Sequence, residues 1–189
     1  MTTNDIMKSR LKYNRPSLRA RARPPKNRTP LGEAFSAANM GTSLQLQYCV
    51  NCRRFQYPSQ EVCQICLNDN LVWRAAAGEG HIISQTALHN SLWEFFKRRI
   101  KQKPWPIATV ALDEGPIVFS HLDVESFDKA MILDVSEKTQ VKVFSHYDCS
   151  MRSILVATNK DNFTATKEAR REIVTRMGLS EPAFRDGGI

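Results

Sequence analysis

Two pairs of cysteines dominate the first half of this 189-residue chain. Cys49 pairs with Cys52 and Cys63 with Cys66, each with two residues between them, and ten residues separate the pairs. This spacing lets one tight turn present two thiolates to the same ion, and two such turns complete a tetrahedron. The surrounding segment, residues 44–73, has too few apolar residues for a core of its own. We therefore expect a bound metal to supply the folding energy that this segment lacks.

The ion in such a site is expected to be structural. Protein thiolates fill all four positions of the tetrahedron, so no position stays open for water or substrate. Zinc is the favoured ion, and iron, which accepts the same four sulfurs, is the alternative that would make the protein an electron carrier. A thioredoxin-type redox pair would need only one of the two motifs. The fifth cysteine, Cys149, stands apart and is interpreted as a small buried side chain.

The chain beyond the cysteines has the pattern of a small β-barrel. Apolar and polar residues alternate, as in Val141 and Val143 with Lys142 between them. Strands are predicted at residues 71–76 continuing through a kink at Gly78-Glu79-Gly80 into 81–88, then at 106–112, 116–122, 139–146 and 152–158. Five strands in about 90 residues suit an OB-fold barrel, and a small sandwich is the alternative.

Helices are predicted at residues 30–40, 89–103 and 164–177, from capping residues and from apolar residues at helical spacing. The predicted fold is therefore mainly β with flanking helices: an N-terminal helix, a zinc ribbon, a five-stranded OB-fold barrel and a C-terminal helix. We expect four parts, which are a basic arm (1–29), a helix with the ribbon (30–75), the barrel (76–158) and a C-terminal helix with a tail (159–189).

The net charge of +8 is concentrated in the first 30 residues, which hold nine basic side chains and one acidic one. The rest of the chain has 18 side chains of each sign. This arm also contains three prolines, so we expect it to be disordered alone and to wrap along a partner. Its candidate partner contacts are Arg15, Arg19, Arg21 and Arg23. An unstructured solubility tail is the simpler alternative, and the prolines argue against a transit peptide.

A second basic stretch follows the aromatic residues of the predicted helix at 89–103. Its members are Lys97, Arg98, Arg99, Lys101 and Lys103. Two interpretations stay open: contact with the phosphates of coenzyme A or of a nucleic acid, or the solvated face of a helix whose aromatic stripe is buried. The helical spacing of the aromatic residues favours the second interpretation.

Several classes of protein are not indicated by the sequence. It has no nucleophile elbow, no phosphate-binding loop, no dinucleotide fingerprint and no zinc-protease motif. The adjacent acids Asp113 and Glu114 are interpreted as a solvated turn, and we identify no catalytic residue. No run of apolar residues is long enough for a membrane span, and no secretory signal is evident. We expect a soluble cytoplasmic protein with no membrane partner.

Further residues extend the cysteine pattern over positions 30 to 122. Gln47 and Pro58 accompany the cysteines, and they are followed by Leu71, Trp73, Gly78, Gly80 and Ser84, then by Pro106 and Ala108, and by the run Leu112-Asp113-Glu114-Gly115-Pro116. This order and spacing are similar to the acyl-CoA-associated family that joins a rubredoxin-like zinc ribbon to a C-terminal OB-fold. The stretch before Val141 lacks the family's usual glycine, and the basic arm is an addition.

The resemblance implies a function as well as a fold. Members of this family are generally accessory subunits that bridge or stabilise thiolase-superfamily enzymes. It implies zinc held by Cys49, Cys52, Cys63 and Cys66, glycines Gly78 and Gly80 that shape the barrel entry, and no catalytic residue. The expected partners are thiolase-superfamily catalytic subunits in a hetero-oligomer, together with acyl-CoA. The rival hypothesis is a nucleic-acid-binding protein built from the same ribbon and OB-fold.

Overall fold

The structure, a computed structural model, describes residues 29–41, 43–89, 104–127, 139–147 and 153–179. The described residues form two α-helices, eight strands and a short 3-10 helix at Val124–Ser126. In chain order the helices and strands are α1 Pro30–Ala38, β1 Gln45–Cys49, β2 Arg54–Gln56, β3 Leu71–Ala75, β4 Glu79–Leu88, β5 Trp105–Leu112, β6 Ile117–Leu122, β7 Gln140–Tyr147, β8 Ser153–Asn159 and α2 Lys167–Arg176. Neither helix has the length and hydrophobicity needed to cross a bilayer.

The first three strands form the ribbon, an antiparallel sheet in the order β2-β1-β3. The central strand β1 pairs Tyr48 with Phe55 of β2 and with Val72 of β3. The prediction that residues 71–76 and 81–88 form one long strand of the barrel is wrong, because β3 pairs in the ribbon and only β4 enters the barrel. Strands β1 and β2 were not predicted.

The other five strands form a closed barrel in the order β4-β5-β6-β8-β7. Pairing of β4 with β7 closes the barrel, and β6 with β8 is its parallel pair. The predicted five-stranded barrel is confirmed, and the sandwich alternative is wrong. Of the helix predicted at 89–103, residues 90–103 lie outside the described residues, as do Cys149 and residues 1–28 of the arm.

The ribbon and the barrel share one hydrophobic core. Leu44 and Leu46, at the start of the ribbon, are 3% and 0% exposed and cluster with Val110 and Val143 of the barrel interior. Burial of two leucine side chains contributes about 4 kcal/mol in total. The ribbon is therefore packed against the barrel as well as linked to it by the chain.

Two glycines sit where the chain enters the barrel. A Cβ at Gly78, whose φ is +74°, would collide with the Val143 carbonyl oxygen. A Cβ at Gly80 would collide with the Ala111 carbonyl oxygen and lie 2.9 Å from the Leu112 Cα. The backbones of β4, β5 and β7 therefore approach each other at distances that only glycine permits.

Helix α2 covers the outside of β7 and β8. Its buried Ile173 and Val174 pack with Phe144 and Val156 in a second apolar cluster. An ion pair anchors the helix, because Arg176 donates from Nη2 to Asp123 Oδ2 at 2.6 Å and from Nε to Oδ1 at 3.3 Å. Asp123 is 1% exposed and also accepts from the Thr158 hydroxyl at 3.0 Å. Strand β8 is consequently buried on both faces.

Candidate metal centre

The two cysteine pairs form turns of the same geometry. The Arg53 N–H donates to the Cys49 carbonyl at 2.9 Å, and the Leu67 N–H donates to the Cys63 carbonyl at 3.0 Å. Arg53 and Leu67, each directly after the second cysteine of its pair, have φ of 57° and 56°. Each pair therefore lies on a knuckle, a turn closed by a hydrogen bond from the first residue after it.

The knuckles bring all four predicted ligands together. Their Sγ atoms lie within 4.8 Å of one another, with 3.5 Å between Cys49 and Cys66 and between Cys52 and Cys63. A tetrahedral zinc ion with bonds of about 2.3 Å needs sulfurs about 3.8 Å apart. None of the four is in a disulfide. Within the described part of the chain, this is the one group of three or more His, Cys, Asp or Glu side chains that could hold a metal.

Hydrogen bonds prepare part of the site for a cation. The Asn51 side chain and the Asn68 backbone lower the pKa of the Cys66 thiol to about 6. Bonds from the backbone of Cys66 and of Ile65 lower the pKa of Cys63. Burial, followed by the neighbouring cysteines, raises the pKa of Cys52 to about 12. A cluster that holds both ionised and protonated sulfurs is one in which a divalent cation displaces the remaining protons.

Two buried glutamines hold the second knuckle against the ribbon sheet. Gln47 Oε1 accepts from the side chain of Gln56 at 2.9 Å and from the Gln60 N–H at 2.8 Å. Gln56 Oε1 accepts from the Gln64 N–H at 3.0 Å, which fixes the backbone next to Cys63. Gln47 belongs to the sequence motif that resembles the family, but its role was not predicted, and Gln56 was missed. These bonds orient the segment that supplies two of the four sulfurs.

The other predicted site residues are not brought to this centre. Lys97, Arg98, Arg99, Lys101 and Lys103 lie outside the described residues, as do Arg15, Arg19, Arg21 and Arg23. Asp113 and Glu114 lie in the turn between β5 and β6, as predicted. Glu114, however, is only partly exposed, and its Oε1 accepts from the Gly78 N–H at 2.9 Å. It ties the turn to the barrel entry.

Comparison with known proteins supports the resemblance found in the sequence. Residues 73–135 match the family model of the ChsH2 C-terminal OB-fold domain. A DUF35 domain-containing scaffold protein of Pyrococcus furiosus is 36% identical over 72 residues, which are 36% of this chain and 48% of the relative. The match thus spans about half the length of that relative.

One of two similar solved structures shares the fold at low identity. The structure described as Ltp2-ChsH2(DUF35) aldolase aligns with a TM-score of 0.53 and 21% identity, covering 71% of this chain and 98% of that chain. A DUF35-family protein of unknown function from Sulfolobus solfataricus aligns over 74% of this chain and 87% of its own, at 17% identity. Its TM-score is 0.38, too low for a comparison of folds.

Proposed function

We propose, starting from the match of residues 73–135 to the ChsH2 C-terminal OB-fold family, that this chain is a non-catalytic accessory subunit of an acyl-CoA-processing complex. The observation that carries the proposal is the closed set of four sulfurs in a ribbon that shares its core with the barrel. Such a centre stabilises a surface and leaves no position for a substrate. The relative named a scaffold protein supports the same role.

The proposed partners are catalytic subunits of the thiolase superfamily, which this chain would bridge or stabilise in a hetero-oligomer. The family resemblance in the sequence points to this enzyme class. The basic arm, through Arg15, Arg19, Arg21 and Arg23, and the basic stretch from Lys97 to Lys103 are proposed as further contacts, with the partner and with acyl-CoA respectively. Cysteines that bind a metal must stay reduced, and the cytoplasm keeps thiols reduced. We therefore place the protein in the cytoplasm.

The test of this function is purification of the full chain alone and together with a thiolase-like protein encoded beside it. We expect a stable complex in size-exclusion chromatography and acyl-CoA turnover only by the complex. Turnover by the isolated chain, or failure to bind any thiolase-like neighbour, would contradict the proposal. Within a complex that forms, deletion of residues 1–28 is expected to weaken binding.

The metal is proposed to be zinc in a structural role. The four sulfurs fit a tetrahedral ion, and the site would hold it through Cys49, Cys52, Cys63 and Cys66. We expect one zinc per chain by elemental analysis, a colourless protein, and loss of the metal in Cys63→Ser. Visible charge-transfer absorption with one iron per chain would overturn the choice of zinc in favour of an electron carrier.

A further inference from the structure

A cleft of about 560 Å³ separates the ribbon from one end of the barrel. Arg53 of the first knuckle, Arg54 of β2 and Ile65 of the second knuckle line one side, and Ile117 at the start of β6 lines the other. The lining also includes Glu114, whose Oε1 accepts a hydrogen bond from the Gly78 N–H at the barrel entry. The metal centre therefore shapes one wall of the cleft.

Large apolar side chains are exposed beside and within this cleft. Ile65 and Leu67 are 61% and 74% exposed, and Ile117 and Phe119 are 51% and 65% exposed. Leu67 and Phe119 each lie two residues along the chain from a cleft-lining residue. We call these four residues, with Arg53 and Arg54, the cleft surface. Ile65 and Ile117 line the two sides of the cleft, and Leu67 and Phe119 are their exposed neighbours along the chain. Exposed apolar side chains beside a cleft are typical of an interaction site.

Two residues of the cleft surface occupy strained backbone. Arg53 and Leu67 have positive φ, a conformation that glycine adopts at lower cost. Leu67 gains little from burial in return, because three quarters of its side chain is exposed. A large apolar side chain at a position that favours glycine indicates that the side chain serves a contact made outside this chain.

The charge of the cleft surface restricts what binds there. Arg53 and Arg54 are exposed and form no ion pair with the residues that the structure describes. The chain's own arm has an excess of eight positive charges and would be repelled. A second copy docked through the same surface would add its own two arginines to the interface and double the positive charge there. The one acidic residue that lines the cleft, Glu114, accepts a hydrogen bond from the Gly78 N–H. An occupant that carries carboxylates therefore fits the two arginines.

The apolar part of the surface favours a protein over a nucleic acid. Single-stranded nucleic acids bind by stacking bases on aromatic rings. Three of the four exposed apolar residues here are aliphatic, Ile65, Leu67 and Ile117, and one is aromatic, Phe119. Two more aromatic rings, Phe55 and Tyr57, line the cleft, but they are half-buried against the core and their rings pack edge-on against those of Tyr48 and Phe35. Aliphatic side chains next to arginines match a protein segment that presents both apolar and acidic side chains.

We propose that the cleft surface is the docking site for an apolar segment of the catalytic partner that is flanked by Asp or Glu. This inference rests on the proposed function and locates its interface. The knuckles then have a second role, because they present Arg53, Ile65 and Leu67 to the partner. The metal would support binding by holding these residues in place.

The test measures the dissociation constant of the complex between the full chain and its catalytic partner. The double variant Ile117→Ser with Phe119→Ser is expected to raise Kd about tenfold or more. The matched control is Met40→Ser, since Met40 is also 51% exposed but lies after α1. Its Kd is expected to stay within about twofold of the wild type.

Two further variants test separately the role of the arginine charge and the role of the strained backbone at Leu67. Arg54→Glu is expected to raise Kd and to reduce its dependence on salt, whereas Lys167→Glu, an equal change of charge on α2, leaves both unchanged. Leu67→Gly is expected to keep or raise the melting temperature while weakening the complex at least about fivefold. If Leu67 had only a structural role, Leu67→Gly would change the melting temperature without weakening the complex. For every variant, metal content identifies a ribbon that misfolds, and the melting temperature identifies a barrel that misfolds.

The outcomes distinguish this inference from the proposed function. A wild-type complex that Leu67→Gly and the β6 double variant leave unchanged would overturn the docking site but keep the proposed function. Absence of any complex would overturn both. If the wild type self-associates and the double variant does not, the surface belongs to a second copy of this chain. If the wild type binds a single-stranded oligonucleotide and the double variant does not, the surface belongs to nucleic acid. Either result overturns the proposal.

Discussion

Gln56 shows how a single residue outside the metal ligands supports the site. The variant Gln56→Leu leaves the Gln64 N–H without its acceptor and removes a bond to Gln47. We expect a loss of about 1–3 kcal/mol in stability and a metal affinity lowered about tenfold or more. Competition with a chromophoric chelator measures the affinity. Gln140→Leu, at an exposed position of β7, is the control and should retain metal like the wild type.

Gly80 limits how closely the strands at the barrel entry can approach. In Gly80→Ala the new methyl group meets the backbone of Ala111 and Leu112, which no rotamer change relieves. We expect a destabilisation of about 3 kcal/mol, measured by chemical denaturation. Gly41→Ala is the control because nothing lies within 4 Å of its Cβ. Equal stability of the two variants would contradict the close approach of β4 and β5.

The grouping of the four cysteines could be predicted from the sequence at the residue scale, but the residues that support this group could not. The spacing of the four cysteines encodes a local turn, so it can be identified without knowing the fold. The partners of Gln47 include Gln60, 13 residues along the chain, and no local pattern reveals such a bond. Asp123 was missed for the same reason, since its partner Arg176 is 53 residues away.

At the scale of elements, the ion pair of Asp123 holds α2 on the barrel. The variant Asp123→Asn removes the charge that the two nitrogens of Arg176 contact, and we expect a loss of about 2 kcal/mol in thermal or chemical denaturation. Glu125 lies 3.8 Å from Arg176 Nε, and its side chain is 65% exposed. Glu125→Gln is therefore the control and should change stability by less than about 0.5 kcal/mol. A larger loss of stability in Glu125→Gln than in Asp123→Asn would refute the anchoring role of Asp123.

The ion pairs of Glu79, the first residue of β4, give a prediction about pH. Hydrogen bonds and charge from Lys160, and then from Lys142, hold the pKa of Glu79 below its usual value of 4.5. The stabilisation is therefore complete above pH 4.5 and is lost as the pH falls through the lowered pKa. Melting temperatures of the wild type and of Glu79→Gln should differ at pH 7 and converge as the pH falls below 4. A constant difference down to pH 3 would show that charge is not the cause.

Helix and strand positions were predicted well where periodicity is strong. The strands β5 to β8 begin and end within one residue of the prediction, and α2 within three. Strands β1 and β2 were missed because they are short and lie among cysteines and polar residues that obscure alternation. The assignment of β3 to the barrel failed because a single strand pattern does not specify its partner, and here the partner is β1.

At the scale of the whole molecule, the core that the ribbon and the barrel share is expected to couple the proposed metal centre to the barrel. Removal of the metal is expected to unfold the ribbon, which exposes Leu44 and Leu46 and weakens the barrel without unfolding it. Hydrogen exchange after chelation should show full loss of protection in β1 to β3 and partial loss in β4 to β8. Restoring zinc should reverse both. Unchanged exchange in the barrel would show that the two parts are energetically independent.

The strand order also has a consequence for synthesis of the chain. The last strand, β8, lies between β6 and β7, so the barrel cannot close until Asn159 has been made. The ribbon ends at Ala75, so 84 residues separate the two events. At about 5–20 residues per second, this interval lasts roughly 4–17 seconds. The nascent chain therefore has time to take up the proposed metal before the barrel forms, and a shortage of that metal in the cell would act on the protein during translation.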